Sequence, residues 1–288
     1  MSRLARPLPI TALLLAAALA AWIITVERMR GMDAGPGTDL GGLGWYVGIW
    51  VTMTAAMMLP SAAPMVLLFA RVSAEQRRRA QLHVSTAFFV AGYIAVWTVY
   101  GLAAYGLFRA IVAGGTDFLA WDRAGPYVAG AAVGAAGVYE LTPLKGVCLR
   151  HCRTPLHFIL GGWRRGRLGA LGMGAEHGTY CVGCCWGLMV VLFAVGVMSL
   201  FWMALVAGVV FMQKLAPGAE RLEPAVAAVL VGLGIWIATA PASVPGLVEP
   251  SSAAAKRARM RMMHMEPAKT KPGSMSPVPM KPAKRMKP

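Results

Sequence analysis

Residues 180–212 read YCVGCCWGLMVVLFAVGVMSLFWMALVAGVVFM, a run of 33 residues without a single charged side chain. As one α-helix this run would be about 50 Å long, well beyond the roughly 30 Å hydrocarbon core of a bilayer. It folds either as one steeply tilted helix or as two short helices that turn near Gly196–Leu200. The first alternative gives the chain six membrane spans and the second gives seven, and we favour the second.

The composition of the whole chain indicates a membrane protein. Hydrophobic residues make up 57% of the 288 residues, charged residues make up 14%, and the mean hydropathy is +0.59. Soluble domains carry about 25% charged residues. We therefore predict an all-α fold, a polytopic transmembrane helical bundle, over residues 1–240. Its predicted spans are the apolar runs Leu8–Val26, Trp45–Ala70, Val84–Phe108, Ala124–Leu141, Tyr180–Met212 (as one span or two) and Pro224–Ala240.

Positive charge is distributed unevenly among the loops. The N-terminus, loop 71–83 and loop 142–179 together hold twelve Lys and Arg, whereas the two intervening loops hold four. Cytoplasmic loops carry the excess of Lys and Arg in membrane proteins. We therefore predict a multi-pass protein of the bacterial inner membrane with its N-terminus in the cytoplasm. All five cysteines then lie at the cytoplasmic membrane surface, where thiols stay reduced.

Residues 241–288 differ from the rest of the chain in composition. They hold ten Lys and Arg, many Pro, Ala and Ser, and few aliphatic residues, which predicts a disordered basic tail. Such a tail contacts anionic lipid, and nucleic acid is not a predicted partner because no aromatic residues interleave with the charges. Seven of the 19 methionines lie in this tail. Thioethers gain nothing from packing there, but they do bind Cu(I).

The cysteines are the strongest candidates for chemistry. Cys181, Cys184 and Cys185 have the spacing i, i+3, i+4, which brings three sulfurs to one helix face. Cys148 and Cys152, spaced i, i+4, lie at the same predicted membrane surface. Four thiolates would hold tetrahedral Zn(II), whereas two or three sulfurs in low coordination suit Cu(I). The spacing therefore predicts a soft-metal site, for either Cu(I) or zinc.

Further side chains extend this predicted site along the helices. His177 lies one helical turn before the first of the clustered cysteines and offers a nitrogen ligand, and Met189 continues the sulfur face one turn deeper. Met57 and Met58 precede Pro60, whose missing N–H would open a polar pocket near mid-membrane. The full predicted ligand set is Cys148, Cys152, Cys181, Cys184, Cys185, His177, Met189, Met57 and Met58. Beyond these, Met198 and Met203 flank the predicted outer turn and would continue a path of thioethers.

The cysteines allow two other interpretations. Cys181 and Cys184 form a C-x-x-C, the spacing of a membrane thiol–disulfide relay, although no thioredoxin-like βαβ pattern accompanies it. Alternatively, the cysteines are apolar packing residues of a structural accessory subunit that needs no metal. The sequence shows no nucleophile–base pair, phosphate loop or paired carboxylates, so we do not predict an enzyme.

Three blocks of sequence carry a resemblance to a known family. They are WVTMTAAMMLP at 50–60, YELTPLKGVCLRHC at 139–152 and HGTYCVGCCW at 177–186. In this order they resemble a bacterial family of predicted metal-binding integral membrane proteins, a domain of unknown function linked with copper supply to tyrosinase-type oxidases. The resemblance covers about residues 45–240. It implies that the chain supplies copper to a copper-dependent oxidase or another exported metalloprotein.

Two positions depart from the pattern of that family. Glu140 stands where a Gln is common, and Gln213 stands before Lys214 where a Glu is common. Any part that a carboxylate at position 213 plays in the family is therefore not carried over to this chain. The sequence as a whole predicts an integral membrane protein that binds Cu(I) through Cys and Met. It would supply the ion, or move it across the inner membrane, for an exported copper enzyme.

Overall fold

The computed structural model describes residues 8–37, 39–78, 86–114 and 121–265. These ranges contain ten α-helices and no strand, which confirms the all-α prediction. Short 3-10 turns lie at Ala219–Arg221 and Pro241–Ser243. The helices are α1 Leu8–Met29, α2 Leu43–Arg78, α3 Thr86–Ala113, α4 Gly125–Glu140, α5 Pro143–Arg153, α6 Pro155–Gly161, α7 Gly166–Val195, α8 Leu200–Leu215, α9 Leu222–Thr239 and α10 Ala253–Met265.

Five of the described helices are long and apolar enough to cross a membrane: α1, α2, α3, α7 and α9. Helix α8 is also apolar but has 16 residues, which corresponds to about 24 Å. Helix α4 has the same length. Seven spans would require both of these shorter helices to cross, so the choice between six and seven spans stays a prediction.

The long apolar run divides into two helices, as predicted. Helix α7 ends at Val195 and α8 begins at Leu200. Gly196 has a φ of +118°, a backbone conformation that favours glycine. A Cβ at this position would also come within 3.2 Å of the Asp33 carboxylate. The break therefore follows from one glycine whose backbone leaves the helix and lies against another segment.

The predicted basic loop 142–179 is largely helical in the structure. It contains α5, α6 and the first half of α7, so Cys181 lies near the middle of a 30-residue helix rather than at its beginning. Small residues let the first half of α7 pack closely on α3, which favours a helix in place of the predicted loop. Gly92 lies against the backbone of Leu171 and Ala175, and Gly174 lies against that of Phe89. Such close backbone contact through small residues is typical of packed membrane helices.

Interhelical contacts fix the directions of the central helices. Phe89 faces Gly174 and Tyr93 faces Gly178, so α3 and α7 run parallel. Trp50 of α2 donates a hydrogen bond to the carbonyl oxygen of Trp97 of α3 at 2.8 Å. Tyr46 of α2 bonds to Gly101 of α3 at 2.9 Å, so this pair runs antiparallel. The three longest helices therefore surround one buried core into which the cysteines of α7 project.

The tail differs from its predicted disorder over the residues that the structure describes. Residues 253–265 form α10, whose Ala255 and Ala258 pack against Ala34 in the loop after α1. Ala, Arg and Met are good helix formers, and the small Ala side chains allow the helix to lie close to that loop. The prediction of disorder is thus wrong for this segment. Residues 266–288, with Met275, Met280 and Met286, lie outside the described residues.

Candidate metal centre

Four cysteine sulfurs meet in the core of the molecule. Cys181, Cys184 and Cys185 of α7 are buried, with exposed fractions of 0%, 1% and 2%. The sulfurs of Cys184 and Cys185 are 3.3 Å apart, and the sulfur of Cys152 from α5 lies 3.8 Å from that of Cys184. We call these four residues the thiol cluster. The i, i+3, i+4 spacing on α7 and the approach of α5 together produce it.

Helix α5 is held in place beside α7 by local structure. Thr142 caps its N-terminus by accepting a hydrogen bond from the Lys145 amide, and Pro143 occupies the first helical turn. Gly183 of α7 allows the close approach, because a Cβ there would lie 2.6 Å from the Cys148 sulfur. The hydroxyl of Tyr139 donates to the Gly183 carbonyl oxygen at 2.5 Å. Cys148 therefore lies at the rim of the thiol cluster, partly exposed.

The surroundings of the two cysteines of α5 raise the pKa of both thiols. Burial raises the pKa of Cys148 above its ordinary value. The pKa of Cys152 is raised further, first because this residue hydrogen-bonds to Cys181 and also because it is buried. A protonated Cys152 can donate to a sulfur of the cluster. The arrangement thus places hydrogen-bond donors on the α5 side and an acceptor on α7.

Cys181 also receives a buried ammonium group. The Nζ of Lys214, next to the C-terminal end of α8, donates to the Cys181 sulfur at 2.9 Å and to the Ser61 hydroxyl at 3.3 Å. The Tyr93 hydroxyl lies 3.0 Å from the same sulfur. A buried ammonium is costly unless a negative group lies beside it. Since a thiol sulfur and a hydroxyl are the partners described for Lys214, the Cys181 thiolate is the group that can supply this charge.

A second buried polar network lies beside the first. Lys145 forms an ion pair with Glu140 and donates to the side-chain oxygen of Gln213 at 3.0 Å. The amide of Gln213 donates to the Glu140 carboxylate at 2.6 Å. Arg153 Nε donates to the backbone oxygen of Gln213 at 2.7 Å. The network joins α4, α5 and α8 next to the thiol cluster.

The network brings positions 140 and 213 together, the two positions singled out in the sequence analysis. Glu140 and Gln213 lie against each other and both contact Lys145. Exchanging the acid and the amide between these two positions would leave one carboxylate and one amide around the same ammonium.

The other predicted ligands are three methionines and one histidine that lie near the thiol cluster. Met57, Met58 and Met189 are buried in the same core as the cysteines of α7. His177 is buried and stacks on Tyr93, with ring centroids 5.6 Å apart. Its Nδ1 has no hydrogen-bond partner among the described residues. The structure thus places these side chains in the core that surrounds the thiol cluster.

The predicted pocket at Pro60 is occupied by side chains. Helix α2 continues through Pro60 and Pro64, and the Ser61 hydroxyl donates to the Met58 carbonyl oxygen at 2.9 Å. The Lys214 ammonium fills the space next to that hydroxyl. The proline segment therefore supplies polar groups to the lysine beside the cluster.

The thiol cluster is not a closed metal site as it stands. All five cysteines are free, and within the described part of the chain no group of three or more His, Cys, Asp or Glu side chains is arranged to hold a metal ion. The sulfurs contact one another and point to hydrogen-bond partners. Rotation of Cys side chains between their staggered conformations would be needed to direct two or three sulfurs at one ion.

Sequence reasoning did not predict which groups contact the Cys181 sulfur. The signal for Lys214 was present, since a charged residue at the end of an apolar run is a functional candidate in membrane proteins. Its pairing with Cys181, 33 residues away, could not be read from that signal. Tyr93, which contacts the same sulfur, and Ser61, which contacts Lys214, had no signal, because hydroxyl side chains are common in apolar helices.

Fold and site together define a class of protein: an all-helical protein with helices of membrane-spanning length that gathers free thiols in its core. Over residues 47–237, about two thirds of its 288 residues, the chain matches the PpoB2 family, described as a copper chaperone, and it belongs to that family. The resemblance to a copper-supply family is thereby confirmed. No curated protein and no solved structure matches the chain.

Proposed function

We propose that this protein takes up Cu(I) at the thiol cluster and passes it through the membrane to an exported copper enzyme. The observation that carries the proposal is the set of four adjoining, largely buried sulfurs with the Lys214 ammonium on one of them. Free thiols in this number select soft metals. The copper ion is cargo that the protein binds and releases, and we assign the protein no catalytic step.

Charge balance favours a monovalent ion at this site. Two thiolates and one Cu(I) carry a net charge of −1, which the ammonium of Lys214 neutralises in the buried setting. Cys181 is the first of these thiolates, because it contacts Lys214. Cys184 is the natural second, since its sulfur contacts those of Cys152 and Cys185. Zinc would require a third thiolate for the same balance, which makes it the second metal for this centre.

The direction of delivery follows from the loop charges. The excess of Lys and Arg in the N-terminal segment and in residues 71–83 and 142–179 orients the N-terminus toward the cytoplasm of a bacterial cell. Cys148, at the rim of the cluster, is then the first thiol that a cytoplasmic ion meets. Met189 lies about 12 Å from Cys181 along α7 toward the other side. The partners of the protein are membrane lipid and a copper-dependent oxidase or other exported metalloprotein, and no nucleic acid.

Metal titration of the purified full-length protein tests the site. The unaltered protein should retain one tightly bound, thiolate-held Cu(I) per chain in competition with a chromogenic Cu(I) chelator, which removes more weakly held copper. Replacing Cys184 and Cys185 together by Ser should remove this binding while circular dichroism keeps the helical signal. Cys148→Ser is the matched control, because its sulfur is at the rim, and it should slow uptake while the bound ion stays. Equal Cu(I) content in the double Ser variant would refute the site.

Thiol labelling tests the orientation. A membrane-impermeant maleimide applied to intact cells with a permeabilised outer membrane should leave Cys148 unlabelled, whereas inverted membrane vesicles should expose it. Labelling in intact cells would reverse the proposed orientation. A variant in which Cys181 or Cys184 is the sole remaining thiol should form no mixed disulfide with another protein. A trapped partner would indicate a thiol relay instead.

A further inference from the structure

The end of the molecule away from the thiol cluster is covered by loops that bind one another. We call residues 30–37, 196–199 and 240–262 the distal cap. Ser199 hydrogen-bonds to the Asp33 carboxylate, which also accepts from the Gly35 amide at 3.0 Å. The indole of Trp202, in the first turn of α8, donates to the Gly246 carbonyl oxygen at 3.1 Å. Three separate segments are therefore joined over the end of the helical core.

Methionine sulfur is concentrated beneath this cap. Met29, Met32 and Met198 have exposed fractions of 1%, 2% and 3% and belong to the same buried core. The hydrogen bond between Asp33 and Ser199 brings together the chain neighbours of Met32 and Met198. Met29 is the last residue of α1, one turn before Met32. The three methionines are therefore buried in the part of the core where the loop after α1 meets the turn between α7 and α8.

A fourth methionine comes from the end of the chain. Met262 of α10 packs both against the main core and against the small cluster of Ala34, Ala255 and Ala258. The exposed face of α10 carries Lys256, Arg257 and Arg259. The Met-rich helix α10 is therefore part of the distal cap, and its Met262 side chain packs against the core.

We propose that Met29, Met32, Met198 and Met262 form a second Cu(I) site, from which the ion leaves the protein. This inference rests on the proposed function and assigns the release end of the same path. Thioethers bind Cu(I) and survive an oxidising compartment in which free thiols would pair. They are neutral ligands, so they hold the ion less firmly than thiolates and allow its transfer to an acceptor.

The positions of Met32 and Met198 outside the helices distinguish the proposed site from ordinary core packing. Buried loops are uncommon, because their backbone polar groups need partners. Here Met32 lies in a loop and Met198 lies in a turn, yet both side chains are turned into the core. The distance along α7 from Cys181 to Val195 is about 21 Å. Met189 lies between these two points along α7 and is buried in the same core.

Silver binding to a cysteine-free protein tests the site without help from the thiol cluster. All five cysteines are replaced by Ser in the full chain, and Ag(I), a redox-stable stand-in for Cu(I), is titrated by calorimetry. This protein should still bind one Ag(I). Adding Met29→Leu, Met32→Leu and Met198→Leu should weaken binding at least tenfold. The control is Met65→Leu with Met173→Leu, two buried methionines of a different core cluster, which should leave affinity unchanged.

Two results would overturn the inference: Ag(I) affinity that is the same in the triple Leu variant, or no Ag(I) binding by the cysteine-free protein. Leu and Met have similar volumes, so the fold should persist. If the triple variant nevertheless unfolds, selenomethionine labelling of the cysteine-free protein decides the question. Selenium X-ray absorption should then show a selenium–silver contact that Met198→Leu alone diminishes, and its absence overturns the site. If the proposed function is wrong, the unaltered full-length protein will instead bind no Cu(I) at its cysteines.

Discussion

Two lysine side chains, Lys145 and Lys214, are buried in neighbouring positions of this protein and are neutralised in different ways. Lys145 pairs with the carboxylate of Glu140 and the amide of Gln213. Lys214 contacts the sulfur of Cys181 and the hydroxyl of Ser61. Both ammonium groups are removed from water, so each needs a negative partner. One finds a carboxylate and the other finds a thiol.

The difference separates a structural charge from a functional one. The Glu140 carboxylate takes no part in the thiol cluster, so its ion pair with Lys145 is the same whether or not a ligand is bound. Cys181 balances Lys214 only as a thiolate, which is also the form that binds Cu(I). The Lys145–Glu140 pair therefore joins helices, whereas the Lys214–Cys181 pair keeps a sulfur in the thiolate form that binds Cu(I). Three substitutions, each with a matched control, test this distinction.

The largest effect is expected for Glu140→Gln. This change leaves the Lys145 ammonium buried among neutral groups, and breaking a buried ion pair in this way costs about 3–5 kcal/mol of unfolding free energy. Denaturant unfolding of the protein in detergent measures the loss. Copper affinity at the thiol cluster should change far less, because Glu140 does not contact it.

The control is the exchange of both residues, Glu140→Gln with Gln213→Glu. Since the Gln213 side-chain oxygen lies 3.0 Å from the Lys145 ammonium, a carboxylate at position 213 should restore most of the lost stability. A double variant no more stable than Glu140→Gln would mean that Lys145 does not need the carboxylate.

A smaller effect, on binding rather than on stability, is expected for Lys214→Met. Methionine fills the space without a charge, so the unfolding free energy should change by less than about 1.5 kcal/mol. The Cys181 thiolate loses a charge-assisted hydrogen bond of about 1.5–3 kcal/mol, so Cu(I) affinity should fall by roughly 10- to 150-fold. Chelator competition measures this affinity.

Lys145→Met should show the opposite profile. It leaves the Glu140 carboxylate buried without its partner, so stability falls while Cu(I) affinity is retained. If Lys214→Met destabilised the fold as strongly as Glu140→Gln and left the affinity unchanged, the distinction between the two lysines would be lost.

The smallest effect is expected for Gly183→Ala, which acts on the packing of α5. Helix α5 carries both Lys145 and Cys152, so it connects the two networks. The added Cβ would meet the Cys148 sulfur, and because Cys148 is partly exposed and can shift, we expect a loss of only about 1 kcal/mol. Alkylation of Cys148 should become faster.

Gly208→Ala in α8 is the matched control. A Cβ at Gly208 would meet no atom within 4 Å, so this change should be neutral or stabilise the helix by up to about 1 kcal/mol. An equal loss from both substitutions would show that Gly183 is not a specific packing position for α5.

Local pattern was enough to predict several features of the fold. The break between α7 and α8 follows from the length of the apolar run and from Gly196. The shared face of Cys181, Cys184 and Cys185 follows from helical geometry. Helix α10 was missed because its Lys, Arg and Met composition resembles that of disordered tails, and its order depends on a contact with Ala34 far away in the sequence.

The sequence by itself determined that this protein is an apolar helical bundle with a helix face of three sulfurs, because hydropathy and helical periodicity are local properties of the chain. Only the tertiary structure decided what those sulfurs meet. Helices that are apolar on every side do not indicate which face packs where. Contacts between helices and loops distant in sequence therefore pair Lys214 with Cys181 and Glu140 with Gln213. They also join the segments of the distal cap to one another.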